Sequence, residues 1–187
     1  GGLVQPGKPN LVIDEAHNLP ARAMDYYSPS LSVFTLEKMR EDVGHIPRKY
    51  RRETLDLITD CINVVKSCAV PGATKAQQIH PPSDVFLAQD FELKNFLVTY
   101  LASDVDIQPR DVVMRLSFYW SEFTAALEYV KADEKNRFFT TYSPNPPTVK
   151  ITCCDASEML KDGYNEYKQV MAFAATLKPC EFYSQLS

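Results

Sequence analysis

Leu11-Val12-Ile13-Asp14-Glu15-Ala16-His17-Asn18-Leu19 is the stretch on which the fold turns. Leu11 to Ile13 read as a short strand that is apolar on both faces, as in a covered parallel sheet. The carboxyl ends of such strands are where α/β sheets bind ligands, so Asp14 stands where a carboxylate can hold Mg²⁺, through water. Glu15 beside it can orient or deprotonate an attacking water. His17, three residues after Asp14, can sense a bound nucleotide. A bare Asp-Glu pair after a strand can equally be a chance acidic turn; the full string is far more specific. The phosphate-cradling partner, Gly-x-x-x-x-Gly-Lys-[Ser/Thr], occurs nowhere in the 187 residues. Gly7-Lys8-Pro9 and Gly72-Ala73-Thr74-Lys75 lack its second glycine, its hydroxyl, or both. The motif therefore reads as half of a nucleotide-hydrolysing site.

Working outward, a short helix is expected from about Ala21 to Tyr27, and another capped by Thr35 and running to Asp42. Leu55, Ile58, Ile62 and Val65 recur at spacings of three and four, predicting a helix from Tyr50 to about Lys66. Residues 68–82 read as a loop. Ser83-Asp84 is the expected cap of a third helix. Asp111 opens the longest one, with Val112, Leu116, Tyr119, Trp120, Phe123, Leu127 and Val130 on one face. After Asn136 the composition favours strands. Arg137–Tyr142 and Thr148–Cys153 flank the turn Ser143-Pro144-Asn145-Pro146-Pro147, a hairpin pattern. A helix over residues 156–167, weakened by Gly163, and a buried strand over residues 170–174 complete the pattern.

Apolar residues make up 45% of the chain, enough for a core. A net charge of −4 removes any global attraction to nucleic acid, so contact with it needs a local basic patch. Arg48-Lys49-Tyr50-Arg51-Arg52 is the densest one. It suits phosphate contact, and the alternative is a solvated helix start, where cations oppose the helix dipole. Phe118, Tyr119, Trp120 and Phe123 suit base stacking, but helical spacing favours core. His45 and His80 read as surface residues. Five cysteines without Cys-x-x-Cys spacing read as buried thiols. With no secretory leader and no bilayer-length apolar run, a reducing, intracellular setting and no membrane partner are expected, either bacterial cytoplasm or eukaryotic nucleus.

Val12-Ile13-Asp14-Glu15-Ala16-His17-Asn18-Leu19 resembles motif II, the DEAH box, of superfamily-two helicases, and Asn18-Leu19 resembles the XPD/DinG branch in particular. Ala174-Ala175-Thr176-Leu177-Lys178-Pro179 resembles that branch's motif III, normally Ser-[Ala/Gly]-Thr-Leu-Ser-Pro. Cys154-Asp155-Ala156-Ser157 resembles the segment leading to the helix ahead of it. Ala174 and Lys178 depart from the pattern, which puts the coupling role of motif III in doubt or leaves it to Thr176.

The resemblance implies a mainly α fold, a helical arch-type insertion flanked by remnants of a RecA-like α/β motor domain. Residues 1–33 are expected to be the motif II segment. Residues 34–150 would be the arch, with a β-hairpin near its end, and residues 151–187 the return to the motor with motif III. It implies part of an ATP-dependent DNA helicase that translocates 5′ to 3′ on single-stranded DNA. Asp14 would hold Mg²⁺ through water, Glu15 would activate water, and His17 would relay the nucleotide state toward Thr176. Arg48, Lys49, Arg51 and Arg52 would grip DNA. The implied cofactors are Mg²⁺ and ATP; a four-cysteine iron–sulfur cluster would belong to the parent upstream of this segment, not within it. The implied partners are single-stranded or forked DNA and proteins docking on the arch. The rival expectations are an arch acting chiefly as a protein-docking module and a degenerate, non-hydrolysing relative. Without a phosphate loop or motif VI, the 187 residues alone are expected to be inactive.

Overall fold

The computed structural model describes residues 7–103 and 105–173. In chain order the elements are β1 (Asn10–Ile13), α1 (Leu19–Tyr26), β2 (Ser30–Ser32), α2 (Val33–Asp42), α3 (Arg48–Ser67), β3 (Gln77–Ile79), α4 (Ser83–Leu101), α5 (Val112–Ala132), β4 (Phe138–Pro144), β5 (Pro147–Cys153), α6 (Ser157–Tyr164) and β6 (Gln169–Ala172). The fold is mainly α, with two small sheets. Two compact units divide it. One comprises residues up to Tyr27 together with those from Cys153 onward, and the other is Ser28–Thr152.

In the first unit β1 and β6 pair in parallel, with Leu11 opposite Val170 and Ile13 opposite Ala172. Parallel neighbours require a long crossover, and here it includes the whole second unit. Both strands had been expected to be buried. They are not: Val12 is 59% exposed and Met171 49% exposed. The Leu-Val-Ile and Val-Met-Ala runs supply strand propensity, but the two strands paired among the described residues cannot cover a parallel sheet. Helix α6 is shorter than the expected 156–167, and begins where Asp155 accepts the backbone N–H of Ser157 at 2.9 Å.

The second unit is built on α3, α4 and α5. The α3 face of Thr54, Ile58, Cys61, Ile62 and Val65 is buried, as its spacing predicts. Helix α5 starts at a true cap: Asp111 accepts the N–H groups of Val113 and Met114 at 2.8 and 3.3 Å. Two other expected caps are corrected. Thr35 lies inside α2, which begins two residues earlier, and Pro82 rather than Ser83 precedes α4, with no side-chain cap. Asp84 falls instead in the first turn of α4, where a negative charge suits the helix dipole.

The aromatic stripe is mostly core. Trp120 and Phe123 are fully buried against Phe86, with ring centroids 5.6 and 5.2 Å from it, and the Trp120 indole N–H donates to the Phe86 carbonyl at 3.0 Å. Each such side chain contributes about 1.5–3 kcal/mol by burial. The Tyr119 hydroxyl accepts the Ser32 N–H at 2.8 Å, fastening β2 to α5, while Phe118 is 57% exposed.

Strands β4 and β5 are the expected hairpin, the centre of a sheet ordered β2-β5-β4-β3. Phe138, Thr140 and Tyr142 alternate inward on β4, as do Val149, Ile151 and Cys153 on β5. The two outer strands lie in segments read as loop or as motif flank. Strand β2 pairs antiparallel with β5 (Ser30 opposite Lys150), so the compact unit includes Ser28 to Ser32. Strand β3, Gln77–Ile79, lies within the 68–82 loop and pairs with β4.

Candidate functional site

The acidic motif occupies a turn clipped at both ends to one residue. The Phe173 N–H donates to the Ile13 carbonyl, and the Ala16 N–H donates to the Phe173 carbonyl, both at 2.8 Å. Between these bonds the backbone must reverse, and Glu15 takes the left-handed conformation, φ 54°. For a residue with a β-carbon that is uncommon and costs about 1–3 kcal/mol, and such strain gathers at functional sites. A 3₁₀ turn, Ala16–Asn18, follows at once, closed by the Asn18 N–H on the Glu15 carbonyl at 3.0 Å.

The turn presents both carboxylates to solvent at the carboxyl end of β1. Asp14 Oδ1 accepts the Glu15 N–H at 2.9 Å, which steadies the carboxylate and leaves Oδ2 clear of that bond. Glu15 Oε2 lies 3.2 Å from His17 Nδ1, off the line of a hydrogen bond, although that nitrogen is buried. Asp14, Glu15 and His17 are thus brought together.

Among the described residues no group of three or more His, Cys, Asp or Glu side chains forms a metal cage. A single carboxylate fits Mg²⁺ better than it fits a caged metal, because Mg²⁺ keeps several waters and takes its other ligands from substrate phosphates. The donor set at Asp14 is of that kind. Thr176, with Ala174 and Lys178, lies outside the described residues.

The basic run sits at the start of α3 in the second unit. Arg48, Lys49 and Arg52 are exposed. Arg51 is committed locally: it donates from Nε to the Ile46 carbonyl at 2.8 Å and from Nη2 to the Gly44 carbonyl at 2.6 Å. These carbonyls end the 3₁₀ turn Val43–His45, so Arg51 locks that turn to α3. Lys49 Nζ lies 4.6 Å from the Tyr50 ring centre. The Tyr50 ring packs edge-on against Tyr100, centroids 5.0 Å apart, and the Tyr100 hydroxyl donates to Asp111 at 2.7 Å. Hydrogen bonding to Ser103 and the nearby Lys49 lower the Tyr50 pKa, whereas burial and the Asp111 carboxylate raise that of Tyr100.

Beyond this chain of contacts opens a cavity of about 850 Å³, with Asp42, His45, Arg110, Asp111 and Arg115 in its wall. His45 is exposed, as expected of a surface residue, and borders that cavity. Arg110 and Arg115 carried no sequence signal. Each is an isolated cation in its local sequence, and the facing wall comes from residues about seventy positions earlier, as the 73-residue separation of Arg115 from Asp42 shows. His80 borders a separate cavity of about 330 Å³ beside Asp133 and Phe138. Cys61, Cys68 and Cys153 are buried, and burial pushes the Cys61 and Cys68 thiols up; Cys154 is exposed, against the expectation of buried thiols, and Cys180 lies outside the described residues.

No helix among the described residues is long and apolar enough to cross a membrane. No family model and no curated protein matches the chain. Among solved structures it is similar to one titled XPD_APO, at 15% identity and a TM-score of 0.44 over 92% of this chain. The chain spans 31% of that structure's length, and similarity at this level does not transfer function.

Proposed function

We propose that the chain is part of an ATP-dependent DNA helicase of the XPD/DinG kind, carrying motif II, an arch-type insertion and motif III. One observation carries the reading. The strand bearing Asp14-Glu15 pairs in parallel with the strand that leads into the Thr176 segment, with a separate helical unit in the crossover. An insertion between two neighbouring strands of an α/β motor predicts that arrangement, and a chance acidic turn does not.

On this reading Asp14 holds Mg²⁺ through water, the metal supplying neutralisation of phosphate charge when bound. Glu15 accepts the proton of the attacking water, and the turn clipped to Phe173 keeps that carboxylate at the strand end. On the same reading His17, 3.2 Å from Glu15, relays the nucleotide state toward Thr176. The second unit guides single-stranded DNA through Arg48, Lys49 and Arg52, with Arg51 bracing their helix.

The test uses the longer polypeptide in which this chain occurs. Glu15→Gln abolishes DNA-stimulated ATP hydrolysis while nucleotide binding persists; unchanged turnover sinks the assignment. The 187 residues alone, lacking the phosphate loop, hydrolyse no ATP above background, and robust turnover by them refutes the division of labour described.

A further inference from the structure

We propose that the cavity between β3, β4 and the end of α5 binds a small uncharged ligand with an apolar body and one hydrogen-bonding group, which meets the Thr140 hydroxyl. The inference is independent of the helicase reading above.

Thr140 is 2% exposed and lies on the face of β4 that alternates inward with Phe138 and Tyr142. It borders the cavity of about 330 Å³. Its backbone stands opposite Ile79 in the β3–β4 ladder, but its Oγ1 is buried with no hydrogen-bond partner among the described residues. A buried hydroxyl left unserved is costly, and each one in a native protein calls for a partner. The helical threonines Thr54, Thr59 and Thr124 find theirs by donating to carbonyls three or four residues back. A strand offers no such preceding turn.

The walls decide what the partner is. Ile79, Leu127, Val130 and Phe138 line the cavity, while the polar Gln78, His80 and Asn136 are exposed and belong to its mouth. A water resting on Thr140 needs roughly two to four polar partners, and the apolar walls supply none. A ligand with one polar group on an apolar body satisfies the hydroxyl and the walls together. Nor is there a free charge to bind. The only ionisable residues around the cavity are Asp133 and His80. Asp133 is ion-paired with Arg137 at 3.0 Å and also accepts the Phe138 and Lys135 N–H groups. A charged ligand would lose hydration without gaining a counter-charge, so the ligand is neutral. An apolar cavity of about 150 Å³ takes benzene. The larger volume here, at the low end of the range for ligand pockets, admits a ring with a substituent.

The probe is p-cresol, with toluene as its counterpart lacking the hydroxyl. Amide chemical shifts of the isotope-labelled 187-residue chain are followed as each is added. p-Cresol moves the resonances of Ile79, Leu127 and Thr140, and binds about two- to tenfold more tightly than toluene, the worth of one hydrogen bond. Thr140→Val abolishes that preference, and Thr140→Ser keeps it. Without either probe, Thr140→Val raises the urea midpoint read by Trp120 emission, because it removes an unserved hydroxyl. Resonances that stay still at millimolar p-cresol, equal binding of the two probes, or a preference that survives Thr140→Val overturns the proposal. A urea midpoint that is unchanged or lowered overturns it too, since the hydroxyl is then already served within the fold.

Discussion

Replacing Asp111 removes two supports at once, and their coupling can be measured. Its carboxylate caps α5 through Val113 and Met114 and accepts the hydroxyl of Tyr100, a residue with no exposed surface. In Asp111→Ala the lost cap costs about 1 kcal/mol, and the stranded Tyr100 hydroxyl adds about 1–3 kcal/mol. Tyr100→Phe alone leaves the carboxylate its two amide donors and costs about 1.5 kcal/mol, the loss of one bond to a charged group. In the double variant no hydroxyl is stranded. Its cost falls short of the summed single costs by about 1–3 kcal/mol, the stranded-hydroxyl penalty, within the range found for contacting residues. Urea titration followed by tryptophan emission reads the second unit directly, because Trp120 is the only tryptophan and is fully buried there. Strictly additive costs would refute the view that Asp111 serves cap and hydroxyl together, as would an Asp111→Ala cost within 0.5 kcal/mol of zero, the level of a neutral surface change.

Asp133 provides a pH test. Burial works to raise its pKa, but donation from the Phe138 N–H, from Arg137 and from the Lys135 N–H outweighs it and holds the carboxyl below its usual value. A depressed folded pKa contributes stability above the unfolded value of about 3.9 and loses it as pH falls through the folded one. Asp133→Asn therefore flattens the acid limb of a stability–pH curve below about pH 4; an unchanged limb counts against the network. Phe123→Ala opens a cavity under Phe86 and costs about 3–5 kcal/mol in the same urea assay, and a loss below 1 kcal/mol contradicts the packing. Cys154→Ser removes one fast-reacting thiol in a titration with an aromatic disulfide, whereas Cys61→Ser leaves the fast phase unchanged; the reverse result would misplace both residues.

Elements that are self-sufficient were legible in the sequence. Asp111 followed by Leu116, Trp120, Phe123 and Leu127 specifies both a cap and a buried face, and α5 has both. The hairpin announced itself through Phe138–Tyr142, a proline-rich turn and Thr148–Cys153. What depends on a distant partner was not legible. Strand β3 is three residues long and mostly polar, and exists because β4 offers Thr140 to Tyr142 as a template. The exposure of β1 follows from how many strands flank it, which no local pattern encodes. Of the candidate site, Asp14, Glu15 and His17 were readable because the chemistry is contiguous. The cavity lined by Arg110 was not, since it is assembled from α2, the turn after it and the α4–α5 connection. Arg51 shows the opposite limit: charge density marked it, but only structure reveals that it spends two donors on carbonyls.

The pairing of β2 with β5 bears on the order in which the molecule assembles. Strands β1 and β6 must find each other across most of the chain, Asn10 reaching Gln169. Once Ser30 lies beside Lys150, the intervening unit no longer counts as free loop. The segment still to be closed shrinks between four- and fivefold, which lowers the entropic cost of closure by about 1.4 kcal/mol on the logarithmic law. The helical unit thus acts as a splint. Formed first, it delivers two distant strands to each other, and a mutation that delays it slows the joining of β1 to β6 without touching either strand.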